Sequence, residues 1–205
     1  MLNQMRVKTD DRRKAITEAA TKVFREEGYA RASMDSIARQ AGSSKATLYG
    51  YFKSKDELFE AAMKATVESA VQRIVPLLDT ESEDLQGVLE RMAEAYVAFI
   101  VSDEILPITR AIVGEVQAKG LGPLLYDQGP RRGIGLMAEF FAGEMHRGRL
   151  RNADPIMAAL HFKGLIESDH FEAALYGAKP TRVGRGAIAD AVAAFLAAYR
   201  PKLES

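Results

Sequence analysis

Apolar residues recur along this chain at spacings of three and four residues, which is the period of an amphipathic helix. The alternation of apolar and polar residues that marks a strand never lasts more than a few residues. Glycine and proline are concentrated at a few joints between the periodic segments. The pattern predicts an all-α protein of about nine helices, without internal repeats.

The first quarter of the chain has the pattern of three helices. One is predicted from Asp11 to Glu27, and two short helices follow, for which Ser33 and Ser44 are placed as N-caps. Gly42 lies between the short helices, where a tight turn requires the left-handed conformation that glycine adopts without a steric penalty. Two short helices joined in this way form a helix-turn-helix, here at residues 33–52.

Longer and more apolar helices are predicted beyond the first 55 residues. The sequence "SKDE" at residues 54–57 fits a capping box and opens a helix predicted to reach Leu78. The last two helices, predicted at Pro155–Tyr176 and Arg185–Arg200, are apolar on more than one face and rich in alanine and glycine. One face of each can meet the core and another a second copy of the chain, which predicts a homodimer with a four-helix interface. A wholly intramolecular core is the alternative.

Composition narrows the class of protein. The 205 residues are 47% hydrophobic and 27% charged, which is typical of a globular chain. The absence of cysteine excludes disulfides, thiolate metal sites and cysteine nucleophiles. No apolar run approaches the roughly 18 residues of a membrane span, and the polar N-terminus lacks the apolar segment of a signal peptide. We therefore expect a soluble, cytoplasmic protein without a membrane partner.

Charge is unevenly distributed although the net charge is zero. Residues 1–55 contain 12 Lys and Arg against 6 Asp and Glu, and residues 56–205 contain 16 against 22. A basic N-terminal quarter on an acidic body suggests that this end binds a polyanion. A chance distribution of surface charge is the alternative.

The second short helix carries side chains suited to DNA. Lys45 can reach a guanine edge or a phosphate, and Thr47 can offer a methyl group to thymine or a hydroxyl to a base or phosphate. The hydroxyls of Tyr49 and Tyr51 can bind phosphate oxygens, and Lys55 is placed for the DNA backbone. The alternative is a solvated basic face with tyrosines that serve only in packing.

The stretch "SMDSIARQAGSSKATLYGYFKSKDELFEAA", residues 33–62, resembles the DNA-binding segment of the TetR/AcrR family of transcriptional repressors. The preceding "ITEAATKVFREEGYARAS" is similar to the first helix of the same family. The resemblance implies a recognition helix at Lys45–Tyr51 that enters the major groove of double-stranded DNA. The DNA contacts that it implies are Ser33, Ser44, Lys45, Ala46, Thr47, Tyr49, Tyr51 and Lys55.

Two positions depart from the family pattern. Ser43 follows Gly42, where the family commonly has an apolar valine, and the change is expected to loosen the packing of the turn. Gly50 stands where the family often has a large residue that touches the DNA backbone. Glycine cannot make that contact, and it lowers helix propensity by about 1 kcal/mol.

The C-terminal part resembles the AefR-like branch of the family in its "YDQGP", "RGRLRNADP" and "AALHFKGL" segments. The resemblance implies a helical domain for effector binding and dimerisation at residues 56–205. It would follow a DNA-binding domain at residues 11–55 and a disordered tail at residues 1–10.

The family's effector pocket lies inside the C-terminal helices, so the resemblance implies an effector that is small and hydrophobic or aromatic. Arg110 and Glu167 stand out, because a charge on an otherwise apolar helix must find a partner. Ordinary core packing is the alternative for each candidate. The candidate lining residues are Met92, Tyr96, Phe99, Arg110, Tyr126, Met137, Phe141, Phe162 and Glu167.

No pattern of an enzyme or a metal site is evident. His146, His161 and His170 match no ligand spacing, and the sequence has neither a glycine-rich phosphate loop nor a nucleophile elbow. We expect no catalytic residues, metal or cofactor. The predicted function is a sequence-specific DNA-binding transcriptional regulator, a repressor released from a palindromic operator by a small, mostly apolar ligand. A helical carrier or enzyme with an apolar cavity, and a DNA-binding protein without a ligand, are the alternatives.

Overall fold

The computed structural model describes residues 2–111, 113, 122–182 and 184–201, without the side chains of residues 2–8 and Asp169. These residues form ten α-helices and no strand, which confirms the all-α prediction. A 3-10 turn (Val75–Leu77) and a π-helical turn (Asp127–Arg131) complete the helical structure. The α-helices are α1 (Leu2–Arg31), α2 (Met34–Gln40), α3 (Lys45–Tyr51), α4 (Lys55–Ile74), α5 (Leu85–Ile100), α6 (Leu106–Ala111), α7 (Gly122–Tyr126), α8 (Arg132–His146), α9 (Pro155–Tyr176) and α10 (Arg185–Tyr199).

Two compact units make up the chain. Unit 1 comprises Met1–Ser69 and Asp103–Gly129, and unit 2 comprises Ala70–Ser102 and Pro130–Ser205. Helix α4 contributes to both units, so the structural division does not coincide with the functional boundary expected after residue 55. Within the described residues, none of the helices has the length and apolar character needed to cross a bilayer.

Helix α1 begins at Leu2, whereas the sequence pattern predicts its start at Asp11 after a disordered tail of residues 1–10. The first ten residues contain no glycine or proline, so the backbone can continue in helical conformation beyond the amphipathic part. Gly28 interrupts the helix as predicted, with φ 77° and ψ 162°, and one further turn extends to Arg31.

The core of unit 1 is built on the predicted apolar face of α1. Ile16 and Phe24 on this face are fully buried, and so is Leu48 of α3. The Phe59 ring of α4 contacts the rings of Phe24 and Tyr29 at centroid distances of 4.9 and 4.7 Å. Burial of these large apolar side chains fixes α1, α3 and the start of α4 around one core.

The core of unit 2 joins α5, α8, α9 and α10. The rings of Phe141, Phe162 and Phe195 are fully buried, with pairwise centroid distances of 4.8 to 5.5 Å. Helix α9 begins as predicted, with Pro155 in its first turn and the Asp154 carboxylate accepting from the Ile156 N–H at 2.8 Å.

A buried carboxylate that the sequence analysis did not identify also holds unit 2 together. Glu144 of α8 is fully buried, and its Oε2 lies 2.5 Å from Nε of Arg149. Arg147 contacts the same carboxylate at 2.9 Å. Arg149 also donates to the carbonyl oxygens of Thr80 and Ser82. The Glu144–Arg149 pair therefore fixes the loop before α5.

Several helices differ from the prediction in their bounds, their number or their continuity. Helix α4 ends at Ile74 rather than Leu78, because Pro76 lacks the N–H that a continuing α-helix requires. Helix α6 begins at Leu106, after a turn. The separate helix α7 brings the described number to ten. Helix α9 is interrupted at Ser168, which has φ 24° and ψ −121°.

Candidate functional site

The turn of the helix-turn-helix closes α2 with two backbone hydrogen bonds. Gly42 has φ 56°, its N–H donates to Arg39 O at 3.2 Å, and the Ser43 N–H donates to Ala38 O at 2.9 Å. This pair of bonds is the Schellman arrangement, which requires a left-handed residue at Gly42. The predicted role of Gly42 is confirmed, and the angle between α2 and α3 is set by the backbone itself.

Two arginines of α1 donate hydrogen bonds to the helix-turn-helix. Arg12 Nη2 donates to Gly42 O at 3.1 Å and to Ser43 Oγ at 2.6 Å. Arg13 donates to the carbonyl oxygen of Tyr51 at 3.1 Å, and its guanidinium lies 4.3 Å from the ring centre of Phe52. The hydroxyl of Ser43 therefore gives the turn a polar attachment that an apolar residue could not make.

Serine hydroxyls cap both short helices as predicted. Ser33 Oγ accepts from the Ser36 N–H at 3.0 Å, and Ser36 Oγ accepts from the Ser33 N–H at 3.1 Å, which forms a capping box. Ser44 Oγ accepts from the Thr47 N–H at 3.0 Å and contacts Thr47 Oγ1 at 2.8 Å. These bonds satisfy the free N–H groups at the helix starts.

Most of the side chains predicted to contact DNA lie on the surface of unit 1. Thr47 and Tyr51 are half-buried, and Leu48 between them is fully buried. Helix α3 thus faces the core with one side and solvent with the other. The exposed members of the predicted set are Ser33, Ser44, Lys45, Ala46 and Tyr49.

The two lysines of the predicted set already have partners within the chain. Lys45 Nζ lies 2.9 and 3.0 Å from the two carboxylate oxygens of Asp35, whose hydrogen bond and charge raise the pKa of this ammonium. Lys55 Nζ donates to the carbonyl oxygens of Tyr29 at 2.8 Å and Ala32 at 2.9 Å, and it lies 4.4 Å from the centre of the Tyr29 ring. Lys55 thus closes the C-terminal end of α1.

The start of α4 is capped by Ser54, whose Oγ accepts from the Glu57 N–H at 3.1 Å. The predicted cap is therefore confirmed. The Glu57 carboxylate accepts from the Lys53 N–H at 2.7 Å, one residue before the cap, rather than from the N–H of Ser54. Beside it, the Tyr29 hydroxyl donates to the Asp56 carboxylate. The pKa of Tyr29 is raised, mainly by burial of the ring and to a smaller extent by this hydrogen bond.

Two glycines of the motif are expected to respond oppositely to alanine. Gly50 is exposed within α3, and a Cβ there would meet no atom within 4 Å, so Gly50→Ala should stabilise the chain by about 0.5–1 kcal/mol. Gly42 also has room, but its φ is 56°, so Gly42→Ala should destabilise by about 1–2 kcal/mol. Urea unfolding of both variants measures the sign of each change in the free energy of unfolding. Equal shifts would contradict the assignment.

The predicted effector residues are divided between the two units. Met92, Met137, Phe141 and Phe162 are buried in the core of unit 2, where packing accounts for them. Phe99 is half-buried on α5. Arg110 and Tyr126 are exposed and belong to unit 1.

Tyr96 and Glu167 do meet, as a polar pair at the edge of the unit 2 core. The Tyr96 hydroxyl donates to Glu167 Oε1 at 2.6 Å, and Lys163 Nζ lies 2.5 Å from Oε2. Burial, together with the Glu167 charge, raises the pKa of Tyr96, so the phenol stays protonated and donates. The partner expected for the Glu167 charge is therefore present, and it comes from within the chain.

The backbone beside this pair is unusual. Ser168 is the only residue other than glycine with a positive φ among those described, and strained residues of this kind cluster at ligand sites. His170 Nδ1 is shielded from solvent and has no hydrogen-bond partner in the described part of the chain. No three His, Asp or Glu side chains among the described residues are grouped as they would be around a metal ion.

Comparison with protein families decides the class. Residues 16–62 match the bacterial regulatory proteins of the tetR family, and residues 87–201 match the C-terminal domain of AefR-like transcriptional repressors. The second match alone spans more than half of the chain. The chain belongs to the TetR family. The predicted family and its AefR-like branch are confirmed, and members of the TetR family are transcriptional regulators that bind DNA and act as dimers.

Curated relatives in the TetR family include a repressor and an activator. The nicotine-responsive transcriptional repressor HdnoR of Paenarthrobacter nicotinovorans is 34% identical over 110 residues, which cover 54% of this chain and 56% of the relative. The transcriptional activator FasR of Mycolicibacterium smegmatis is 39% identical over 98 residues, which cover 48% of this chain and 44% of the relative. The matches thus span only about half of each relative.

Solved structures of TetR-family proteins match over nearly the whole chain. A regulator from Mesorhizobium loti superposes with a TM-score of 0.86 at 26% identity, covering 93% of this chain and 98% of the other. The flavonoid-responsive regulator FrrA superposes with a TM-score of 0.77 at 30% identity, covering 95% of this chain and all of the other. Each of these structures therefore covers both of the segments that the family models match in this TetR-family chain.

Proposed function

We propose that this protein is a homodimeric repressor that binds operator DNA with α3 in the major groove. The observation that carries the proposal is the construction of α3. Its caps and turn bonds hold it against α2, while Ser44, Lys45, Ala46 and Tyr49 face solvent. A helix held rigidly with polar side chains outward is what reading of base edges requires. A role at DNA also places the protein in the cytoplasm.

The individual contacts follow from the chemistry of each side chain. Lys45 and Thr47 are proposed to contact base edges, and Ser33, Ser44, Tyr49 and Tyr51 are proposed to contact phosphates. Lys55 is proposed to act on the DNA backbone while it also closes α1. Repression is supported by the AefR-like C-terminal match and by HdnoR, and FasR shows that the family also contains an activator.

We propose dimerisation through an exposed apolar stripe on α9 and the adjoining surface of α10. Residues on the opposite face of α9, such as Phe162, fill the core of unit 2, so the stripe is not needed for folding of the single chain. Exposed Ala193, Ala194, Ala197 and Ala198 on α10 allow close approach of a second copy. Two copies would place two α3 helices on half-sites of a palindrome, about 34 Å apart. The stripe consists of Ile156, Met157 and Leu160, and Leu165 is exposed further round the helix.

We propose that the effector is a small aromatic compound that binds at the Tyr96–Glu167 pair. The Glu167 carboxylate is a strong acceptor at the edge of an apolar core, and it suits an effector with a hydroxyl or a protonated amine. The strained Ser168 next to it supports a ligand role. FrrA responds to flavonoids and HdnoR to nicotine, both aromatic compounds with polar groups. The effector would release DNA by favouring the non-binding conformation.

Titration of the DNA upstream of its own gene tests the function. We expect sequence-selective, salt-sensitive binding at nanomolar protein, and release of the complex by a flavonoid or by nicotine. The matched control is Thr47→Ala, which keeps the N–H that Ser44 caps but loses the side chain proposed to contact a base. It should relax selectivity by about 1–3 kcal/mol at one base pair.

Three outcomes separate the alternatives. If the protein binds the upstream DNA no more tightly than DNA of unrelated sequence, the regulator proposal is overturned. Tight binding of an aromatic compound without DNA binding would favour a carrier. If the protein binds DNA selectively but no aromatic compound releases it, the proposal of an aromatic effector is wrong and the DNA-binding proposal stands.

A further inference from the structure

Asp35 and Lys45 form an ion pair within the surface proposed to contact DNA. Asp35 lies in the first turn of α2, Lys45 begins α3, and both carboxylate oxygens lie within 3.0 Å of the ammonium. Both side chains are largely exposed, at 63% and 55%. The lysine that the proposed function assigns to a base edge is therefore already neutralised by the chain itself.

We propose that Asp35 is a specificity-determining residue, an internal counterion that Lys45 must leave before it can bind DNA. The inference rests on the proposed DNA-binding function and adds a device that suppresses binding to the wrong sequence. Neither the sequence pattern nor the comparisons assign a role to Asp35.

The physical argument starts from counterion release. A free lysine that neutralises a phosphate releases a condensed cation from DNA, and this release drives non-specific binding. Lys45 would instead exchange the Asp35 carboxylate for a phosphate, and the displaced carboxylate would then face the DNA polyanion. Loose complexes on random sequence thus gain little from Lys45 and acquire a repulsion.

On the operator, the released Asp35 side chain can accept from a base-edge amine such as the N4 group of cytosine, whereas on random sequence it faces only phosphates. An amide oxygen at this position could accept in the same way, so the operator complex depends little on the Asp35 charge. Asp35 therefore weakens non-specific complexes more than the operator complex. Specificity by a repulsive element directed at the competitor is a general strategy in recognition.

Asp35 contributes little to the stability of the fold. Exposed ion pairs contribute little to stability, and α2 already has its own capping box between Ser33 and Ser36. Both partners of the box are serines, so it does not depend on the Asp35 charge. A change that removes only that charge should leave the fold intact.

The test compares wild type with Asp35→Asn on operator and on random DNA of equal length. We expect affinity for random DNA to rise about 10-fold at low salt, and its log–log salt dependence to steepen by about one unit. Operator affinity should change by less than about 3-fold, so the selectivity ratio falls. Lys45→Ala in the Asp35→Asn background should abolish the gain.

Glu18→Gln is the matched charge control. Glu18 is an exposed acid of α1 whose carboxylate lies 4.0 Å from the Lys14 ammonium. Glu18→Gln changes the net charge by the same amount as Asp35→Asn. It should leave the selectivity ratio near the wild-type value. Equal gains on both DNAs, no gain on random DNA, or weaker operator binding by Asp35→Asn would overturn the proposal. If wild type binds no DNA selectively, the proposed function fails first, and that result is visible before any variant is compared.

Discussion

Leu160→Glu is expected to convert the proposed dimer into monomers and to weaken operator binding by about 100-fold or more. Leu160 is 39% exposed on the α9 stripe, and a dimer would bury it against a second copy. A carboxylate there would be desolvated without a partner. Glutamate is a good helix former, so α9 itself should persist. Loss of the dimer removes the second half-site contact, which accounts for the size of the effect.

Leu124→Glu is the matched control for this prediction. Leu124 is 38% exposed on α7, so the substitution places the same charge at a similar exposure on a helix of unit 1. Light scattering gives the mass in solution, and operator titration gives the affinity. The interface would be wrong if Leu160→Glu remained a dimer with unchanged operator affinity, or if Leu124→Glu dissociated as readily.

Glu144→Gln should lower the free energy of unfolding by about 3 kcal/mol. Glu144 is fully buried, while Arg149 retains 24% exposure, so removing the carboxylate charge leaves a mostly buried guanidinium without compensation. Arg149 also holds the carbonyl oxygens of Thr80 and Ser82. The loop before α5 should therefore loosen together with the C-terminal end of α8.

Thermal and urea unfolding measure this loss, which corresponds to a fall in Tm of roughly 6–12 °C for a chain of this size. Arg147→Ala is the control, because Arg147 contacts the same carboxylate but is 43% exposed. It should cost less than about 1 kcal/mol. If the two variants were equally stable, the buried Glu144–Arg149 pair would not be a main support of unit 2.

The elements of the DNA-binding region were predictable because their signals are local. The caps at Ser33, Ser44 and Ser54 each act on an N–H three residues away, and the Gly42 turn is set by one backbone conformation. The buried face of α1 follows directly from its period. Such features depend on neighbours that can be read in the sequence itself.

The contacts that organise the site join distant parts of the chain, and no local pattern reveals them. Arg12 and Ser43 are 31 residues apart, and Tyr96 and Glu167 are 71 apart. Ser43 departed from the family pattern and was expected to loosen the turn. Only the structure, in which α1 packs against the helix-turn-helix, identifies Arg12 as the partner of Ser43. The sequence likewise did not indicate that Arg110 and Tyr126 belong to unit 1.

The closure of α1 by Lys55 has a consequence for induction. Lys55 ties the start of α4 to the carbonyl oxygens at the end of α1, and the Tyr29–Asp56 hydrogen bond and the Phe59 ring reinforce the same joint. A displacement of α4 would therefore carry the helix-turn-helix along without altering its internal geometry. In the dimer and effector response proposed above, the effector would then change the distance between half-sites that the dimer accepts, and it would leave the reading of each half-site unchanged. Operators with different half-site sequences but equal spacing should therefore be weakened by the effector by the same factor, and the tighter ones should need more effector for release.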